Sequence, residues 1–221
     1  MGRFHTRRIS ELADGEILAP ERYDPRRAVA GEAVVTLGEL VQVVSSTVTP
    51  TSLLAPFLLL ETGHAVEGRI EARHAPQGPD GVGSAKRILQ AGDVVISRLR
   101  PYLRQVAYID PGLFERLPGG NGVVCSAELL ALRARPGSDF APAALVPFLL
   151  SAPVQAALAA AQEGGHHPRV SREALAALPV PQTVVLAAPR LAAGVRAMVA
   201  LAHATTAAAA ALIAEIEAVL D

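Results

Sequence analysis

The stretch GDVVISRLRPYLRQVAYID, Gly92 to Asp110, decides how the chain is read. Gly92-Asp93 signals a turn. After it, Val94, Ile96, Arg98 and Arg100 fall on one face of an extended chain, and Val95, Ser97 and Leu99 on the other. The first face therefore changes from apolar to cationic along its length. Pro101 has no amide hydrogen to give a ladder and ends the pairing, Tyr102 to Gln105 turn the chain, and VAYI reads as a returning strand. The expectation is a hairpin whose rim carries Arg98, Arg100 and Arg104 where the strand leaves the core.

On the N-terminal side, residues 6–27 read as a short helix followed by a loop ending in ERYDPRR, because Pro25 disfavours helix at Asp24. AVVTLGELVQVVSST begins and ends strand-like around a short helical turn at Leu37 to Val41, and PFLLLET and HAVEGRIEARH read as strands. APQGPDGVGS and LFERLPGGNGV are Gly- and Pro-rich loops, and their cores at 76–84 and 118–122 are candidate recognition loops or plain surface connections.

Beyond them SAELLALRAR alternates like a strand. DFAPAALVPFLLSAPVQAALAAAQEGG then reads as helical, with Asp139 or Ser138 as a cap, prolines near helix starts and Gly164-Gly165 as a stop. Ser171 is placed to cap a short helix through Leu178, which PVPQ breaks.

From about Pro189 the text is helical to its end. Leu191, Val195, Met198, Ala202, Thr205, Ala209, Leu212, Ile216 and Val219 recur at alternating spacings of four and three, a heptad seam. A helix of some 30 residues spans roughly 45 Å, more than a small domain needs for its own core. The seam is therefore expected to pair with another long helix, from a second copy or a partner.

Composition sets the outer bounds. With 221 residues, 51% hydrophobic but only 4% aromatic and no Trp, the chain can bury a core of Leu, Val, Ile and Ala. Its lone Cys125, read as a small buried residue, permits neither an internal disulfide nor a multi-cysteine zinc site and suits a reducing cytosol. MGRFHTRRISELADG lacks the apolar segment of a secretory signal, and LLAPFLLL and AAAAALIA fall short of the roughly 20 residues of a bilayer span. A soluble cytoplasmic protein without membrane contact is expected.

The net charge of −1 gives no global basic footprint, yet Lys86, Arg87, Arg98, Arg100 and Arg104 face only Asp93 between residues 86 and 104. Basic charge is local, as a binding edge requires.

Taken together, GDVVISRLRPYL…VAYI, FLLSAPVQAALAAAQEGGHHPRVSREALAALPVPQ, ERYDPRR and the long terminal helix resemble the specificity subunits of Type I restriction-modification systems. The order and spacing of these elements carry the resemblance, and it matches one half of a full subunit. It implies a mixed α/β (α+β) fold: a twisted-sheet target recognition domain with flanking helices over 1–185, then a helical arm over 186–221. It implies a non-catalytic module that binds double-stranded DNA, pairs through its helix as a homodimer, and directs a DNA methyltransferase subunit to a bipartite site, with a restriction subunit as a further candidate partner. S-adenosylmethionine would belong to the methyltransferase, and no cofactor to this chain. The rival reading is an adaptor in phage defence or its regulation that keeps the fold without reading DNA.

The candidate DNA contacts follow. Lys86, Arg87 and Arg104 lie near loop tips, where phosphate contact competes with a solvated surface. Arg98 and Arg100 divide between structural pairing at a strand end and phosphate contact; a motif shared by readers of different sites is poorly suited to base readout. GGHHPRVS offers a loop bringing His166, His167 and Arg169 to DNA. Two adjacent histidines without a second cluster make no metal site, and without a matched nucleophile no catalytic one.

Overall fold

The computed structural model describes residues 33–49, 57–71, 84–115, 122–166 and 168–220. The expected helix and loop over 6–27, most of the loops at 76–84 and 118–122, and His167 lie outside these residues.

The described chain opens with β1 (Ala33–Thr36), α1 (Leu37–Leu40) and β2 (Val41–Val44), then β3 (Leu58–Leu60), β4 (Ala65–Val66), β5 (Arg69–Ile70) and β6 (Arg87–Ile88). It continues through β7 (Val94–Ser97), β8 (Val106–Tyr108), α2 (Pro111–Glu115), β9 (Val123–Cys125) and β10 (Leu129–Ala134). The helical part comprises α3 (Leu145–Leu150) and α4 (Ala152–Ala160), the small hairpin β11 (Gln162–Glu163) and β12 (Arg169–Val170), α5 (Arg172–Ala176), β13 (Pro179–Pro181), α6 (Gln182–Leu186) and α7 (Ala188–Leu220).

At the centre is an antiparallel sheet ordered β2-β10-β7-β8. Its strands are apolar on both faces. Val94, Ile96, Val106, Tyr108, Leu130 and Leu132 enter one core with α3, α4, α5 and the start of α7, while Val95, Ala107, Leu129 and Ala131 enter a second. The second core holds Leu58, Leu60 and Val123 of a three-stranded sheet, β3-β9-β6. Period-two alternation thus sorts side chains between two cores instead of between core and water.

The Gly92-Asp93 turn has a specific construction. Gly92 adopts φ +93°, which a side chain would resist, and the Asp93 carboxylate accepts from the Gln90 amide at 2.8 Å. Asp93 is almost wholly buried, and Arg133 of β10 satisfies it with two bonds of 2.9 and 2.7 Å. The start of β7 is thereby fixed to its neighbouring strand.

Three expectations need correction. The helical stretch DFAPAALVPFLLSAPVQAALAAAQEGG does not run from Asp139 to Gly164: after a 3-10 turn at Pro142–Ala144 it divides at Ser151, the extended N-cap of α4 with Pro153 in its first turn, and the segments on either side meet at 82°. Neither Ser138 nor Asp139 caps that turn, whose cap is Ala141, and Gly164 at φ +105° serves the β11–β12 turn. PVP does more than break a helix. It pairs with β1 as an edge strand, where proline is tolerated.

The third correction concerns the boundary at 185/186 and the last helix. Ala188, Ala192, Val195 and Val199 of α7 are buried in the first core, so its first turns belong to the domain. By length and composition α7 could also cross a bilayer, with a mean hydropathy of 1.8 over 18 residues of which little is buried. The sequence expectation missed this because the alanine tract looks mild, yet no Asp, Glu, Lys or Arg lies between Arg196 and Glu215.

Candidate nucleic-acid interface

The turn Ser126–Glu128 between β9 and β10 gathers basic side chains assigned to DNA from the sequence. Arg87, only 8% exposed, sends Nη1 to the carbonyls of Ala127 at 2.9 Å and Leu129 at 2.7 Å, while its Nε has no described partner. Burial pulls its pKa below the ordinary guanidinium value. Lys86 is buried too. Its backbone exchanges hydrogen bonds with Val48 at 2.8 and 2.9 Å, and its Nζ donates to Ser84. Both had been expected near a loop tip, but β6 lies against β9 and draws them inward.

Arg98 and Arg169 complete this internal cluster. The Arg98 amide donates to the Glu128 carbonyl at 3.0 Å, its carbonyl accepts from the Val170 amide at 2.9 Å, and its Nε donates to the Val170 carbonyl at 3.2 Å. This favours the structural alternative for Arg98. Arg169 grips the Glu128 carboxylate through Nε at 3.0 Å and Nη2 at 2.7 Å. That pairing holds the carboxyl below the usual range, and the charges of Arg169, Arg98 and Arg87 add to the effect. Arg87, Arg98 and Arg169 thus bind one turn and lock the β11–β12 hairpin to it.

The rim beyond Arg98 is different. β7 stops at Ser97, whose hydroxyl accepts from the Leu99 amide at 3.1 Å, so the alternation expected to reach Arg100 ends early. Arg100 and Arg104 take left-handed backbone at φ 45° and 52°, flanking a 3-10 turn of Pro101–Leu103. Pro101 is buried and the turn lies against α4, but Tyr102 is 71% exposed and Leu103 46%. Both arginines are exposed, and neither pairs with a described side chain. His166 is exposed at the β11–β12 turn. Among the described residues, no cluster of His, Cys, Asp or Glu could hold a metal ion.

The arm residues divide. Val195 is buried in the chain's own core and Leu191 packs on it, while Met198 lies over Gly68. Ala202 is half-buried, and Thr205, Ala209, Leu212, Ile216 and Val219 are exposed. The expected seam is therefore two surfaces: its beginning faces inward, and its distal part is open.

Sequence reasoning missed Glu128, Asp93 with Arg133, and the exposure of Tyr102 and Leu103. Glu128 looked like an ordinary polar position in an alternating strand; its signal is positional, since it occupies a turn to which distant arginines fold back.

No family model and no curated protein matches the chain. Solved structures do. A chain from a structure of the type I R-M system, described for its complex assembly and conformational transition, superposes with TM-score 0.56 at 23% identity, over 82% of this chain and 44% of that one. The HsdS subunit from Thermoanaerobacter tengcongensis superposes with TM-score 0.53 at 21% identity, over 71% of this chain and 40% of that one. This chain spans less than half the length of either. A four-stranded and a three-stranded sheet among smaller ones, a broken helical layer and a long C-terminal helix give the chain a mixed α and β, HsdS-like fold.

Proposed function

We propose that the chain is a non-catalytic specificity subunit of the type I restriction-modification kind. It binds one half of a bipartite site in duplex DNA and directs a methyltransferase there, with a restriction subunit as a further partner. The observation that carries this is the HsdS-like fold over most of a chain that covers less than half of each protein it matches. A module of that size would hold one recognition unit, and a second copy would supply the other. Twofold pairing of two such units suits a site with two half-sites.

The distal part of α7 supports the pairing. Leu212, Ile213, Ile216, Val219 and Leu220 follow the spacing of one helix face, and all are more than half exposed. An open apolar stripe of this kind is suited to burial against its equivalent in a second copy. The recognition domain, residues 1–185 together with the packed first turns of α7, would then read DNA, and the part of the helix beyond those turns would be the pairing arm. S-adenosylmethionine would be held by the methyltransferase, and the complex would work in the cytoplasm. Arg100 and Arg104 are the favoured phosphate contacts, with the exposed His166 as a further candidate, because Arg87, Arg98 and Arg169 are engaged within the chain.

That engagement also favours a second reading, an adaptor in phage defence that keeps the fold without reading DNA. Purification of the tagged chain from its host, with the complex weighed by light scattering, tests the main proposal. Two copies recovered with a methyltransferase and binding duplex DNA would support it. A methyltransferase complex whose DNA affinity is unchanged by charge reversal at Arg100 and Arg104 would favour the adaptor.

A further inference from the structure

We propose that the turn from Arg100 to Arg104 is an insertion tip: Tyr102 and Leu103 enter a groove of duplex DNA as an apolar wedge against the bases, while Arg100 and Arg104 hold the phosphates on either side. The inference rests on the DNA-binding reading above and adds to it the device by which this rim engages the duplex.

Tyr102 and Leu103 are large side chains left in water, 71% and 46% exposed, at the end of a hairpin whose strands are buried. The tip is rigid. The Leu103 amide donates to the Arg100 carbonyl at 2.9 Å, the Arg104 amide to Pro101 at 2.8 Å, and the Val106 amide to Arg104 at 2.9 Å. Pro101 is buried beneath the tip, and Arg98 ties its base to Val170. A backbone held by these bonds has little freedom to lose on insertion.

The backbone adds a further sign. Arg100 and Arg104 both stand in left-handed conformation, which a residue with a side chain resists and which persists only where the surroundings impose it. Here it brackets the exposed pair with two exposed arginines.

Charge chooses the occupant. From Val94 to Ile109 the chain has three arginines and no carboxylate, and neither Arg100 nor Arg104 pairs with a described side chain. Polyanionic phosphate complements such a rim, and apolar residues inserted between base steps with flanking basic contacts are an established way to grip a groove. Stacking of this type tolerates many sequences, so it supplies grip and DNA shape readout, leaving base discrimination to other loops.

The test uses the absence of tryptophan from the chain. In the Y102W variant the introduced indole is the sole one of this chain, and its emission is read while a mixed-sequence duplex pool is added to the full-length protein alone; in the complex purified from its host it is read as the difference from the complex of the unaltered chain. Binding is followed independently through labelled duplex. The expected result is exposed indole emission in the free protein that is strongly quenched by duplex. Y102F should bind as the unaltered protein does, and Y102A about 10-fold more weakly with an unchanged salt slope. R100Q and R104Q should each lower that slope by about 1.

If the duplex binds but the indole is unmoved and Y102A binds as well as the unaltered chain, the insertion tip is overturned and DNA binding stands. If neither the chain nor its complex holds duplex, both readings fall together. An indole that answers to the methyltransferase and not to duplex would make the tip a protein contact and overturn the proposal.

Discussion

Arg169 and Glu128 lie 41 residues apart in sequence and meet as a two-pronged pair, Nε to Oε2 at 3.0 Å and Nη2 to Oε1 at 2.7 Å. The contact joins the β11–β12 hairpin to the β9–β10 turn, so an acid titration should report it. Glu128 has a lowered folded-state pKa, chiefly because Arg169 bonds its charged form. Its contribution is therefore complete above the unfolded value of about 4.3 and is lost as pH falls through the lower folded value. Unfolding curves from neutral to acid pH should show E128Q less stable than the unaltered chain at neutrality, with the difference closing below the ordinary glutamate range. A constant difference throughout would assign the loss to packing.

Arg87 should behave as a structural residue. R87M leaves the Ala127 and Leu129 carbonyls without their donor and is expected to cost about 3 kcal/mol in urea unfolding. The salt slope of DNA binding by the folded fraction should stay the same. A lower slope would return Arg87 to the phosphate contacts.

Gly68 bridges the β4–β5 turn and the long helix. Its φ is +99°, and an added Cβ would lie 2.8 Å from Met198 Cε and 3.1 Å from Val146 Cγ1. G68A should destabilise by about 2 kcal/mol or more through strain and overlap combined. The double variant G68A/M198A should lose less than the sum of its two parts, since truncating Met198 removes the nearest clash. Strict additivity in a double-mutant cycle would disprove the contact.

Cys125 lies in β9 with its side chain buried, and burial pushes its thiol up to about 12. The native protein should resist a disulfide reagent at neutral pH, then react with one equivalent in step with urea unfolding. Fast labelling under native conditions would show that β9 opens locally.

The two halves of α7 should respond differently. V195E places a charge in the closed core and should unfold the domain, whereas I216E changes only the open stripe. If the stripe pairs two copies, I216E should convert dimer to monomer by light scattering while the unfolding midpoint of the monomeric domain holds. A mass unaffected by I216E counts against pairing through this face.

Much of the framework was legible because local chemistry agrees with it. Gly92-Asp93 needed a glycine conformation and an acid to cap it, Ser171 accepts from the Ala174 amide at 3.1 Å as an N-cap should, and α7 begins beside Pro189. The roles of the basic residues were less legible. Whether Arg87, Arg98 or Arg169 faces solvent depends on a turn around Glu128 brought near by sheet pairing, which no local pattern encodes. The heptad text of α7 also could not show where the domain ends, because Val195 and Ile216 read alike until the 3-10 turn Pro142–Ala144 and α3 pack against the start of the helix. Single-letter alternation failed at Arg100 for a related reason: the turn seated on α4 overrides the strand period.

The unbroken helix from Ala188 to Leu220 has a mechanical consequence. Its first turns are set in the same core as β7 and β8, so the rod and the hairpin rim share one frame, like a lever cast with its handle. One residue inserted between Val199 and Leu212 would rotate the far stripe by about 100° and advance it about 1.5 Å relative to the rim. Seven would nearly restore the azimuth while lengthening the rod by about 10 Å. The register of this one helix therefore sets the phase, as well as the distance, between the rim and whatever its far end carries.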